Sequence, residues 1–82
     1  MPTTIKKRDL SNIGRIVLYH RKKGNFSRSD LADMSGVGQT VIYEVEKGKT
    51  SVRFDVLFRM LDALNIRISL DSPFIGEYEK KS

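Results

Sequence analysis

The sequence has no cysteine. That removes disulfides and thiolate metal sites and suits a reducing compartment. Its single histidine, His20, has no second imidazole or thiolate with which to share a metal, so it reads as a structural or surface residue. No apolar run approaches the roughly 20 residues needed to span a bilayer. The opening MPTTIKKRDL lacks the apolar core of a signal peptide. There is no repeat, no low-complexity tract, no glycine-rich phosphate loop and no clustered acid–base pair. Enzymatic activity is therefore not expected and no cofactor is called for. Together these absences lead to the expectation of a soluble cytoplasmic protein.

What is present is a short basic chain. At 82 residues it is one domain, near the lower limit for a self-sufficient core. Its formal net charge is +5 and its pI about 9.8, so polyanions are favoured partners. Residues 1–8 are polar and basic and read as a loose arm. Residues 9–71 hold the periodic patterns, and residues 72–82 form a short tail.

The most informative stretch is NFSRSDLADMSGVGQTVIYEVEKG, residues 25–48. Ser27 can cap a first short helix, with Asp30 three residues on and Leu31, Ala32 and Met34 following as apolar residues. Ser35-Gly36-Val37-Gly38 breaks that helix, because glycine tolerates the positive φ of a tight turn. A second helix is expected from about Gln39 to Lys47. Val41, Ile42 and Val45 form its buried side, while Gln39, Thr40, Tyr43, Glu44 and Lys47 face outward. A helix held from behind, with small polar side chains at its start, is what the DNA major groove accepts. The pattern is a helix-turn-helix.

The stretch SRSDLADMSGVGQTVIYEVEKGK resembles the helix-turn-helix of the Cro/C1-type (XRE) regulators. Leu31-Ala32, Gly36-Val37, Ile42, Glu46 and Gly48 fall at the family's spacings together, and the likeness runs from Ile13-Gly14 to Leu70. The later GKTSVRFDVLFRMLDALNIRISL resembles the HipB-like antitoxins. The resemblance implies an all-α, lambda repressor-like domain of four to five helices, with a short C-terminal β-strand that pairs across a homodimer. It further implies binding to a palindromic operator in double-stranded DNA and association with a HipA-like kinase toxin, and hence a nucleoid-associated protein. A stand-alone regulator, and an interaction module that touches DNA only weakly, stay open beside that reading.

Base contacts are expected from Gln39, whose amide can pair bidentately with adenine, and from Thr40 and Tyr43 on the same face. Phosphate contacts are expected from Arg28, Gly38, Lys47, Lys49 and Arg53, which would supply affinity without sequence information. Each of these basic residues also has the plain reading of an ordinary surface charge. The family often has glutamine where Arg28 stands and serine where Gly38 stands, so a hydroxyl cap on the second helix is absent. Glu46 matches the family's acidic position, for which a structural ion pair or hydrogen bond is implied.

A first helix is expected over about Asp9 to Lys23. Ile13, Ile16, Val17 and His20 fall at core spacing, and Arg21, Lys22 and Lys23 lie in its last turn. That triplet is either a solvated helix end or a phosphate contact. A fourth helix, about Arg53 to Leu64, has one narrow polar stripe of Asp55, Arg59 and Asp62. Its apolar arc spans roughly 220°, about twice what one core face of a surface helix requires. Either a second subunit covers the surplus or helix 1 and the tail do so within one chain. From Ile66 to Leu70 the apolar period becomes two, which predicts a strand in need of a partner. Val56, Met60, Ala63, Ile66, Ile68 and Leu70 are the expected dimer interface. Phe74, Ile75 and Tyr78 could dock on a partner, or the tail could simply fray.

Overall fold

The computed structural model describes residues 3–81, and among them the regular elements are all helical. A 3₁₀ turn, Lys7–Asp9, leads into α1 (Asn12–Lys23), α2 (Arg28–Ser35), α3 (Gln39–Glu46), α4 (Phe54–Ala63) and α5 (Ile75–Lys81). Helix α1 starts three residues later than the apolar pattern suggests. Residues 1 and 2 of the expected arm lie outside the described residues.

The helix ends explain the boundaries. Ser27 Oγ accepts from the Asp30 backbone N–H at 3.0 Å, and the Asp30 carboxylate accepts from the Ser27 N–H at 2.8 Å. This reciprocal box satisfies two of the donors that every helix start leaves over. It also holds the Asp30 carboxyl below the usual carboxylate range, through the backbone N–H first and the Ser27 hydroxyl second. At their other ends α1, α3 and α4 share one device. A residue in the left-handed region follows the cap: Asn25 at φ 60°, Gly48 at φ 104° and Asn65 at φ 58°. The next N–H then reaches back five residues, Phe26 to Arg21, Lys49 to Glu44 and Ile66 to Leu61. This satisfies carbonyls that would otherwise be left over. Helix α2 stops at Gly36, φ 72°, whose N–H bonds Ala32 O at 2.9 Å.

The core is built by α1 on α3, α2 on α3 and α2 on α4. Val17, Leu31, Val37, Ile42, Val45, Met60 and Leu61 are buried, with Ala32, Val41, Val52, Val56, Leu57, Ala63, Leu64 and Ile66 packed around them. Gly14 lets α1 approach α3 closely, since a Cβ there would strike the Val45 carbonyl. His20 does not join this core; it is exposed, and its Nδ1 pairs with Ile16 O at 2.7 Å.

Two expectations for the C-terminal third are corrected, and the strand expected to pair across a dimer is not formed by the single chain. No other segment among the described residues offers Ile66–Leu70 a ladder of backbone partners. Met60, expected at a subunit interface, is completely buried in the monomer's own core. The tail is not frayed: it folds into α5, a two-turn helix that buries none of its residues. The apolar arc of α4 is divided. Met60 and Leu61 are buried and Val56, Leu57, Ala63 and Leu64 are half-buried, whereas Phe54 (66% exposed) and Phe58 (44% exposed) stack on each other outside. Their rings lie 4.8 Å apart and 12° from parallel.

Candidate nucleic-acid interface

Helix α3 is held from behind and open in front. Ile42 and Val45 anchor it in the core, and Val41 is half-buried. Gln39, Thr40, Tyr43 and Lys47 are exposed along its other side, so the three expected base-reading residues share one accessible face. Gly38 is the N-cap, in extended backbone (φ −65°, ψ 148°) and with no side-chain capping bond.

The helix is fixed by a buried ion pair. Arg21 Nε donates to Glu46 Oε2 at 2.7 Å and Nη2 to Oε1 at 3.0 Å. Its Nη1 donates to the Phe26 carbonyl at 3.0 Å. Bidentate geometry of this kind satisfies both carboxylate oxygens and fixes the relative orientation of two helices. The hydrogen bond to Glu46 holds the Arg21 guanidinium above the usual arginine value, with desolvation opposing and Coulombic attraction assisting. No buried side-chain polar atom among the described residues lacks a partner. The expected ion pair at Glu46 is therefore present, and its partner is a residue placed by sequence in a surface triplet. Lys22 and Lys23 are exposed, but Arg21 is not. The signal was in the spacing: Gly14, Val17 and Arg21 fall at i, i+3 and i+7, one face of a helix.

The basic residues flanking α3 are partly engaged already. Arg28 Nε donates to Glu46 Oε1 at 3.1 Å, and its guanidinium carbon lies 4.9 Å from the centre of the Tyr43 ring. Lys47 Nζ lies 5.4 Å from that centre. Lys49 Nζ pairs with Glu44 Oε2 at 2.6 Å, which makes Glu44 a half-buried tether rather than a free outward residue. Arg53, the N-cap of α4, pairs with Asp55 at 3.2 Å. Arg28 and Lys47 thus lie against Tyr43 on the exposed face of α3 and Gly38 caps its start, while Lys49 and Arg53 follow α3 in the chain with their charges locally matched. Among the described residues there is no group of three metal-ligating side chains, and no helix is long and apolar enough to cross a membrane.

Comparison with known proteins agrees with this geometry. Residues 18–70, more than half of the chain, match the family model described as helix-turn-helix. No curated protein matches the chain.

Proposed function

The chain belongs to the Cro/C1-type helix-turn-helix family, whose members are DNA-binding regulators rather than enzymes, and from that membership we propose that it is a sequence-specific repressor. The observation that carries the proposal is the exposed row of Gln39, Thr40 and Tyr43 on a helix locked to the core by Arg21–Glu46. Gln39 reads an adenine edge, Thr40 a neighbouring base and Tyr43 a base one turn further on. The backbone at Gly38 and the side chains of Arg28 and Lys47 grip phosphates beside the groove, with Lys49 and Arg53 joining once DNA competes for their carboxylate partners. Gln39→Ala is expected to cost about 1–3 kcal/mol at one base pair while sparing binding to random DNA. A variant that binds selected operator and random duplex as wild type does would show that α3 is not the reading helix.

The repressor works as a two-fold dimer that places two α3 helices roughly 34 Å apart on a palindrome. The outward apolar surface supports this reading. Phe54, Phe58, Ile68 and Leu70 are exposed, and Ile66–Leu70 leaves a strand-like pattern without a partner strand among the described residues. Pairing of that segment across the two-fold axis, with Val56 and Ala63 at its rim, covers both.

In its fuller form the proposal makes the protein the antitoxin of a HipA/HipB-like module, autoregulating its operon in the cytoplasm and binding a kinase toxin away from α3. Support comes from the resemblance of residues 48–70 and from Phe74 and Tyr78, which α5 leaves exposed. Co-expression with the product of an adjacent gene, followed by pull-down and operator titration, tests it. Operator binding with no such complex leaves a stand-alone regulator.

A further inference from the structure

At the junction of α2 and α3 one carboxylate serves two guanidiniums. Arg21 takes both oxygens of Glu46, and its side chain is 9% exposed; Arg28 adds a contact at 3.1 Å and stays 39% exposed. Two cations on one anion leave a net positive charge, and the exposed member, Arg28, carries it outward. The same guanidinium lies over Tyr43, which is 46% exposed in the middle of the reading face. A continuous set of contacts therefore runs from the core side of α1, through Glu46 and Arg28, to a ring directed at the groove.

A guanidinium can hydrogen-bond in its plane while its face rests on an aromatic ring. Arg28 uses both capacities at once, its Nε–H on Glu46 and its central carbon over Tyr43. Lysine keeps the charge but has no plane to stack. Glutamine keeps hydrogen bonding but has no charge. Neither can hold the Tyr43 ring from a fixed point on Glu46.

Resting on the DNA-binding reading above, we propose that Arg28 is a positioning residue that sets the sequence preference of Tyr43, beyond any phosphate contact it makes. It holds the tyrosine ring in one orientation before DNA arrives, so that the base pair facing Tyr43 is discriminated. Loss of Arg28 leaves Glu46 with both bonds to Arg21, so the fold survives the substitution.

The test uses the full chain and an operator enriched from random-sequence duplexes by the wild-type protein. Tyr43→Ala first identifies the base pair whose preference depends on the ring. Arg28→Lys is then expected to lose about three- to fivefold discrimination at that base pair, with its salt dependence kept. The loss should vanish when Arg28→Lys is combined with Tyr43→Ala, since nothing is left to position. In the free protein, nuclear magnetic resonance should show Arg28 side-chain protons shifted upfield by the Tyr43 ring, and restored by Tyr43→Leu. Uniform weakening on all duplexes, additive with Tyr43→Ala, overturns the proposal and leaves Arg28 a phosphate contact. So does the absence of the ring-induced shift, or a Tyr43→Ala protein with unchanged preferences. A wild-type chain that enriches no sequence overturns the DNA reading and this inference with it, whereas selection with additive losses overturns this inference alone.

Discussion

Helices α2 and α3 and the segment after α4 are built from similar residues but finish their interactions in different places. In the first region every device closes within a few residues or against a neighbouring helix. Ser27 and Asp30 cap each other, Gly36 turns the chain, and Glu46 meets a buried arginine. In the second region the backbone closes its turns, but most of the apolar side chains after Ile66 stay open to solvent. Leu70 is 80% exposed, Phe74 and Tyr78 nearly as much, and α5 buries none of its residues. The contrast teaches that fixed side-chain contacts are concentrated around the proposed reading helix. Apolar surface, in turn, is left exposed in the segment proposed to meet a second chain.

The comparison breaks most severely at Glu46. Its removal leaves the Arg21 guanidinium buried, with only the Phe26 carbonyl bond of those described above. Orphaning a buried charge costs about 3–5 kcal/mol, a large share of the roughly 5–15 kcal/mol that holds a domain together. Glu46→Ala should therefore fall far in thermal or urea melts and lose operator binding with its fold. Glu46→Gln, which keeps the shape and one acceptor, should lose less.

The same contrast explains how much was legible in the sequence. The capping box, the αL glycine, the buried row Ile42–Val45 and the outward row Gln39, Thr40, Tyr43 were readable because each is a local pattern with one physical solution. Arg21 was misplaced because an arginine in a basic triplet suggests solvent, and only its spacing from Val17 says otherwise. Met60 was misassigned because a helical wheel gives the direction of a side chain but not which chain covers it. The period-two run Ile66–Leu70 is a true alternation, yet a strand exists only with a ladder partner, which a sequence pattern does not supply. Arg28 could be placed at the edge of the site, but its contact with Tyr43 depends on the crossing of α2 and α3 and has no signature along the chain.

A smaller break concerns the cap of α2. Ser27→Ala removes the hydroxyl that accepts from the Asp30 N–H and should cost about 1 kcal/mol. Asp30 adds a pH signature. Its folded pKa is lowered, so its contribution is fully present above the unfolded aspartate value of about 3.9 and is lost as pH falls through the lower folded value. Melting curves from neutral to strongly acidic pH should show this acid-side loss in wild type. Asp30→Asn should lack that part of the slope. An unchanged slope would mean that the box does not form in solution.

The smallest expected effect on the fold lies at the other pole. Leu70→Ser, Phe74→Ser and Tyr78→Ser change residues that the monomer leaves largely exposed. Each should move stability within about 0.5 kcal/mol when measured on dilute monomer, the range of ordinary surface substitutions. If that surface is where a second copy pairs, Leu70→Ser should nevertheless shift sedimentation at micromolar concentration toward the monomer. It should also weaken operator binding, because a lone domain holds only one half-site. Phe74→Ser and Tyr78→Ser, which lie beyond the pairing segment, should leave self-association nearly unchanged and act on a partner protein instead. A substantial stability loss in the dilute Leu70→Ser monomer would mean that the chain covers this residue itself. The difference between the two regions would then be one of degree, not of which partner completes them.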